Sequence, residues 1–258
     1  MARVRVILYC VLGGAPLLLG ALGAGHWMAW WVAGIVLAAA FVPVSLFGPR
    51  SIVGQFGMVS LALVIITALC TWSEALIFLP TSEIRQHPLQ TLIGSCVMYV
   101  IVAAVLAALG KVLRLHRASI AAPSHHRVVA AALIVPLCGL AYVLYYLMFG
   151  AVTYQFLTKG YYPDAPGAVA NLGAWFWIIQ FARGVLMTLA IVPIVYTLRL
   201  RRWQTAIVAG SVIWIAGGLA PLLIPNPFMS PTLRVIHIVE IFTQNFPLGV
   251  TAALLLRI

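Results

Sequence analysis

Residues 90–112 read QTLIGSCVMYVIVAAVLAALGKV, an apolar stretch whose only charged residue, Lys111, stands next to its last position. At 1.5 Å per residue in a helix, such a stretch extends about 35 Å. That length is enough to cross the hydrocarbon core of a bilayer, which is roughly 30 Å thick. The stretch therefore predicts a membrane-spanning helix, and similar stretches recur along the whole chain.

We count eight such segments, which predicts an all-α polytopic membrane protein with a single transmembrane domain over residues 1–258. The predicted spans are 5–24, 27–47, 54–79, 90–112, 128–149, 173–197, 204–224 and 233–255. The composition agrees, with 64% hydrophobic residues, 7% charged residues and a mean hydropathy of +1.11. About a quarter of the residues in a soluble domain are charged. The polar–apolar alternation that indicates an outer-membrane barrel is absent.

Two spans resemble each other and suggest an internal duplication. Residues 33–50 read AGIVLAAAFVPVSLFGPR and residues 182–199 read ARGVLMTLAIVPIVYTLR, and a shift of one residue aligns Pro43 with Pro193. An even number of spans per repeat predicts a parallel duplication about an axis along the membrane normal. The repeats would be residues 1–125 and 126–258.

The basic residues predict the orientation of the chain. The net charge of +11 does not indicate nucleic-acid binding, because the basic residues lie in short loops and form no aromatic-studded basic surface. The positive-inside rule instead predicts a multi-pass protein of the cytoplasmic (inner) membrane with both termini in the cytoplasm. Eleven of the 15 Lys and Arg residues then lie on the cytoplasmic side: Arg3, Arg5, Arg50, Lys111, Arg114, Arg117, Arg127, Arg199, Arg201, Arg202 and Arg257.

The four acidic residues are the strongest indication of a site. Glu83 and Asp164 fall in predicted outer loops, whereas Glu74 and Glu240 fall inside spans. A charged side chain in hydrocarbon is costly unless it is partnered, so an intramembrane carboxylate is by default a functional-site hypothesis. Arg183, Arg234 and His237 could supply partners of the opposite sign.

Helical spacing groups these side chains on shared faces. On span eight, Arg234, His237, Glu240 and Gln244 cover an arc of about 120°, and Asn245 stands beside it. On span three, Glu74 shares a face with Thr67, Cys70 and Thr71, and on span six Gln180 shares a face with Arg183. We therefore expect spans three, six and eight to adjoin, with Arg183 within ion-pair or one-water reach of Glu74 or Glu240.

The function that this pattern favours is a transporter or binding protein with an outward-facing polar cavity for a small polar or amphipathic molecule. Arg183 would hold an anionic group or clamp a glutamate, Glu74 and Glu240 would exchange protons or bind a cation, and His237 would tune Glu240. A packing clamp without a ligand is an alternative reading of the same charges.

Other classes remain as alternatives. A membrane enzyme could use Glu240 and His237 on a lipid substrate, although no enzyme or cofactor motif is present and non-enzymatic function is favoured. An accessory subunit of a membrane complex and a homo-oligomer are further alternatives. A metal site could use His237, Glu240, Glu74 and Cys70, but it needs ligands from separate spans. The outer segment 150–172 predicts an ordered cap or an interfacial helix.

Overall fold

The computed structural model describes residues 2–78, 86–117, 128–161, 165–227 and 229–257. Within these residues every regular element is helical and no strand occurs. Eight helices are long and apolar enough to cross a membrane, which confirms the predicted number. They are α1 Arg3–Gly23, α2 Trp27–Phe47, α3 Ile52–Phe78, α4 Pro88–Val112, α5 Ala131–Thr158, α6 Ala174–Thr197, α7 Arg202–Leu223 and α8 Pro231–Leu256. Glu83, Arg85, Asp164 and Arg127 lie outside the described residues.

Helix α5 is longer than the sequence pattern predicts. The span was expected to end at residue 149, but the helix continues through Gly150 to Thr158. Gly150 has ordinary helical dihedral angles (φ −65°, ψ −42°), so it does not end the helix. A separate short helix, Ala165–Leu172, precedes α6. The predicted end of the span at residue 149 is therefore wrong, whereas the short helix Ala165–Leu172 agrees with the helical alternative for the segment 150–172.

Three of the helices contain π-helical segments. They are Leu63–Cys70 in α3, Tyr146–Gly150 and Tyr154–Thr158 in α5, and Ile215–Leu219 in α7. Hydrogen bonds from residue i to i+5 turn the following side chains relative to a regular α-helix, and such segments are frequent at functional sites. A face predicted at 100° per residue therefore does not continue through these segments.

Neighbouring helices approach closely at glycines. Gly34 of α2 faces the backbone of Gly14 in α1. In α8, a β-carbon at Gly249 would lie 2.6 Å from the carbonyl oxygen of Ala209 and from the Cα atom of Gly210, both in α7. Small residues at such crossings allow helix backbones to approach closely in membranes.

Replacing Gly249 with alanine is expected to destabilise the protein by about 1–3 kcal/mol, because the added methyl group meets backbone atoms that cannot rotate away. Thermal unfolding of the purified protein measures this effect. Gly94→Ala is the matched control, because Gly94 lies inside α4 and its β-carbon would meet no atom within 4 Å. The control should unfold at the same temperature or higher. Equal loss in both variants would contradict a specific α7–α8 contact.

Most of the described Lys and Arg residues lie at one end of the bundle. The backbone N–H of Arg117 donates to the Leu46 carbonyl (2.8 Å), and that of Arg199 donates to the Phe47 carbonyl (3.0 Å). The Arg257 guanidinium donates to the Leu200 carbonyl at 3.0 Å. These bonds join the chain after α4, α6 and α8 to the ends of α2 and α6. We call this the basic end; Glu74 and Glu240 lie towards the opposite end.

Candidate functional site

Arg183 forms a buried ion pair with Glu74. Its Nη2 atom lies 2.7 Å from Glu74 Oε2, and its Nη1 atom donates to Gln180 Oε1 at 2.7 Å. The guanidinium carbon lies 5.8 Å from the centre of the Tyr142 ring on α5, within cation–π range. The Glu74 side chain remains 29% exposed, whereas that of Arg183 is 7% exposed. The expected contact between spans three and six is therefore present, and it is made with Glu74.

The ion pair leaves two buried donors without an acceptor in the described part of the chain. These are Nε of Arg183 and Nε2 of Gln180, whose residue is fully buried. An arginine can only donate hydrogen bonds. The oxygen of Gln180 must therefore face Arg183, and its amide nitrogen points elsewhere. A buried donor without a partner costs about 1–3 kcal/mol, so this position suits a water molecule or a ligand that carries an acceptor.

A second cluster lies on α8. His237 Nδ1 lies 2.9 Å from Glu240 Oε2, and Gln244 Nε2 donates to Glu240 Oε1 at 3.3 Å. The side chains of His237 and Glu240 are 20% and 14% exposed. Gly150 of α5 faces this cluster, since a β-carbon there would lie 3.6 Å from Glu240 Oε1. The Glu240 carboxylate therefore lies between the imidazole of His237 and Gly150, where α5 has no side chain.

The two clusters are separate but share α5 as a wall. Tyr142 lies beside Arg183, and Gly150 lies beside Glu240. Between them Tyr146 contacts the ring of Phe176 edge-on, with centroids 5.7 Å apart. Helix α6 packs against both α3 and α8. The expected reach of Arg183 to Glu74 or Glu240 is met through Glu74, and no described ion pair links Arg183 to Glu240.

Two residues of the predicted α8 stripe face α7 instead. Arg234 Nη1 donates to the carbonyls of Leu222 and Leu223 at 3.4 Å. Asn245 Nδ2 lies 3.5 Å from the Ile213 carbonyl. The 120° arc is wide enough to divide between two neighbouring helices, so these two side chains do not join the Glu240 cluster.

The metal alternative has no geometric support. Among the described residues, no three His, Cys, Asp or Glu side chains lie close enough together to hold a metal ion. Cys70 and Glu74 belong to the α3 side of the site, while His237 and Glu240 belong to α8. The four candidate ligands that the sequence suggested therefore remain in two places.

A small hydroxyl-lined cavity was missed by the sequence analysis. It has a volume of about 140 Å³ and lies between α3, α4 and the end of α7. Its polar lining comes from Thr67, Thr71, Thr91, Ser95 and Tyr99. The α4 residues recur every fourth position, which is a signal for a polar helix face. None of the residues of the two charged pairs lines this cavity, so the Thr67 and Glu74 side chains lie on different surfaces of α3.

Comparisons with known proteins do not identify a family for this chain. No model of a protein family matches the chain, and neither curated proteins nor solved structures match it.

Proposed function

We propose that this chain is an integral membrane transporter or binding protein for a small polar or amphipathic molecule. The site consists of the Glu74–Arg183–Gln180 cluster and the His237–Glu240–Gln244 cluster, which α5 borders. The observation that carries the proposal is that both clusters hold charged side chains at positions whose counterparts under a duplication of four helices are uncharged.

The packing of the helices supports a parallel duplication of four. Helices α1 and α2 pack together as α5 and α6 do, and α3 and α4 pack together as α7 and α8 do. Between the halves, the α2–α7 contact corresponds to the α3–α6 contact. The buried share of the most apolar stretch of each helix agrees in three of the four pairs, with 22% in α1 and α5, 50% in α2 and α6, and 44% in α3 and α7, and differs between α4 (22%) and α8 (33%). The π-helical segments of α3 and α7 also correspond.

The duplication provides an internal comparison for the ion pair. When the prolines inside α2 and α6 are aligned, Ala33 corresponds to Arg183. The end of α7 that corresponds to the Glu74 region is residues 219–224, which read LAPLLI. Helix α2 packs against this end of α7, and neither Ala33 nor residues 219–224 carry a charged side chain, although Arg234 of α8 donates to the carbonyls of Leu222 and Leu223. The contact between such helices therefore does not need an ion pair.

The counterparts of the second cluster, His237 and Glu240, are also uncharged. When the prolines that begin α4 and α8 are aligned, Gly94 corresponds to His237 and Val97 corresponds to Glu240. Apolar side chains are often as stabilising as a buried ion pair or more so. Since the equivalent positions do without charge, we assign the charged groups to ligand or proton binding rather than to packing alone.

The two clusters suit different roles. The Arg183 guanidinium is permanently charged, so its pair with Glu74 fixes the site and presents the unused donors of Arg183 and Gln180. Histidine is the side-chain type whose charge changes most readily near neutral pH. The His237–Glu240 pair is therefore the better place for proton exchange coupled to ligand binding.

A ligand screen tests the proposal. The purified full chain is heated with small polar and amphipathic compounds, and those that raise its unfolding temperature are tested for uptake into proteoliposomes. We expect a stabilising compound whose effect is lost in Glu240→Gln and kept in Arg234→Gln, since Arg234 faces α7 carbonyls. Conversion of a lipid, followed by mass spectrometry, would instead establish the enzyme alternative. Co-purification of a stoichiometric membrane partner would favour the accessory-subunit alternative.

The proposed site opens to the outside if both termini lie in the cytoplasm of an inner-membrane protein. We expect a cysteine at Lys159 to react with an impermeant maleimide in intact cells, and a cysteine at Arg117 to react only after lysis. Both positions are exposed, and they lie at opposite ends of the bundle. The four native cysteines are first replaced by alanine. Labelling of residue 117 but not residue 159 from outside would reverse the proposed orientation.

A further inference from the structure

A pocket of about 200 Å³ opens at the basic end, between the start of α1 and the segment that follows α4. Its cationic or titratable lining is Arg5, Arg114, His116 and Arg117. Its apolar lining is Val6, Leu46 and Leu115. The pocket therefore combines three guanidinium groups with an apolar wall, far from the site of the proposed transport function.

The wall of the pocket is held by the backbone. Arg114 adopts a left-handed conformation with φ 51°, which turns the chain at the end of α4. The Leu115 N–H then donates to the Gly110 carbonyl at 3.1 Å, and the Arg117 N–H donates to the Leu46 carbonyl at 2.8 Å. Leu115 is only 4% exposed. Arg114 and Arg117 therefore lie in a segment that is hydrogen-bonded to both α4 and α2.

The charges of the pocket have no counter-charge among the described residues. The two described carboxylates, Glu74 and Glu240, pair with Arg183 and His237. Burial, together with Arg50 and Arg199, lowers the pKa of His116, so the positive potential extends across this end. A pocket lined by three arginines and no carboxylate suits an anion, and arginine matches phosphate geometry through paired N–H groups.

We propose that this pocket binds the phosphate group of an anionic phospholipid from the cytoplasmic leaflet. The pocket lies next to α1, whose Val4, Ile7 and Leu8 side chains are 58%, 61% and 40% exposed and face outward from the bundle. An apolar outer surface beside a basic pocket allows acyl chains to remain in the bilayer while the head group enters. Val6, Leu46 and Leu115 accommodate the glycerol region. Basic pockets between helices on this side of membranes are typical lipid head-group sites.

Native mass spectrometry of the full chain, delipidated in neutral detergent, tests the proposal. We expect phosphatidylglycerol to be retained at least about tenfold better than phosphatidylcholine, whose choline cation the same arginines repel, a difference of about 1.4 kcal/mol. The variant Arg5→Gln, Arg114→Gln, Arg117→Gln should lose this preference. The matched control is Arg3→Gln, Lys111→Gln, Arg201→Gln, which removes the same charge at the same end outside the pocket and should keep the preference.

A second measurement uses the unaltered protein and so does not depend on how the variants fold. Phenylglyoxal modifies accessible arginines, and both Arg114 and Arg117 are exposed. Phosphatidylglycerol should protect these two arginines from modification, whereas phosphatidylcholine and inorganic phosphate should not. Equal loss of lipid in the control variant would reduce the effect to general charge attraction and overturn the proposal. Equal protection by inorganic phosphate would assign the pocket to a free anion and overturn it as well.

Discussion

Replacing Arg183 alone with glutamine is expected to destabilise the protein by at most about 3–5 kcal/mol, the loss for a fully buried ion pair, because the Glu74 side chain is 29% exposed. Glu74 would then keep a negative charge at the surface of α3 with no described cation to compensate it. The glutamine would also lose the contact with the Tyr142 ring. Thermal unfolding in detergent, at several salt concentrations, measures the effect.

The matched variant is Glu74→Gln, Arg183→Gln, which leaves no unpaired charge. The sequence alone would have paired Arg183 with either glutamate, and the 2.7 Å contact selects Glu74. We expect the double variant to recover most of the lost stability, because amides can hydrogen-bond across the same gap. It should nevertheless lose ligand binding. A double variant with both wild-type stability and wild-type binding would reduce this pair to a packing clamp.

The comparison of the two halves of the chain predicts that apolar side chains can replace the Glu74–Arg183 pair without loss of stability. Under the proposed duplication, Ala33 and residues 219–224 occupy the positions that correspond to Arg183 and the Glu74 region, and none of them is charged. An apolar replacement, Glu74→Leu with Arg183→Met, is therefore expected to fold and to unfold at or above the wild-type temperature. Failure of this variant to fold, while the double glutamine variant folds, would show that the α3–α6 contact has become dependent on hydrogen bonds.

The sequence predicted the helices well because length and hydropathy are properties of each segment by itself. The number of apolar helices is confirmed, and so is the contact between Arg183 and Glu74, which follows from the rule that a buried charge needs a partner. The pairing of Arg183 with one glutamate rather than the other depended on how α6 is rotated against α3. Rotation is a result of packing and is not encoded in the spacing of one helix.

The features that the sequence did not predict come from irregular backbone. The π-helical segments change the direction of the side chains that follow, so Thr67 and Thr71 line a cavity while Glu74 faces Arg183. Helix α5 continues through Gly150, which brings a bare backbone next to Glu240. No apolar periodicity distinguishes an α-helical turn from a π-helical one over so few residues. The charged residues in apolar spans therefore indicate where the site lies, whereas the irregular backbone decides which side chains face each other.

Replacing Glu240 with glutamine is expected to leave the protein folded and to reduce ligand uptake by at least about tenfold, a loss smaller than the roughly 10²–10⁴-fold that is typical of a catalytic proton-transfer group. The amide keeps hydrogen bonds to His237 and Gln244 but cannot exchange a proton with the imidazole. Among the described residues His237 is the ion-pair partner of Glu240, so no permanent cation is left unpaired. Uptake into proteoliposomes with and without an imposed pH gradient measures the loss.

Two further variants separate proton exchange from simple loss of contact. His237→Gln should remove the dependence of uptake on the pH gradient even if ligand still binds, because the partner that takes up the proton is gone. Glu240→Asp retains the carboxylate on a shorter side chain and should recover part of the pH-dependent uptake. Full pH-dependent uptake in a stably folded Glu240→Gln variant would contradict a role for this carboxylate in proton exchange and move the functional site to Arg183, Gln180 and Glu74.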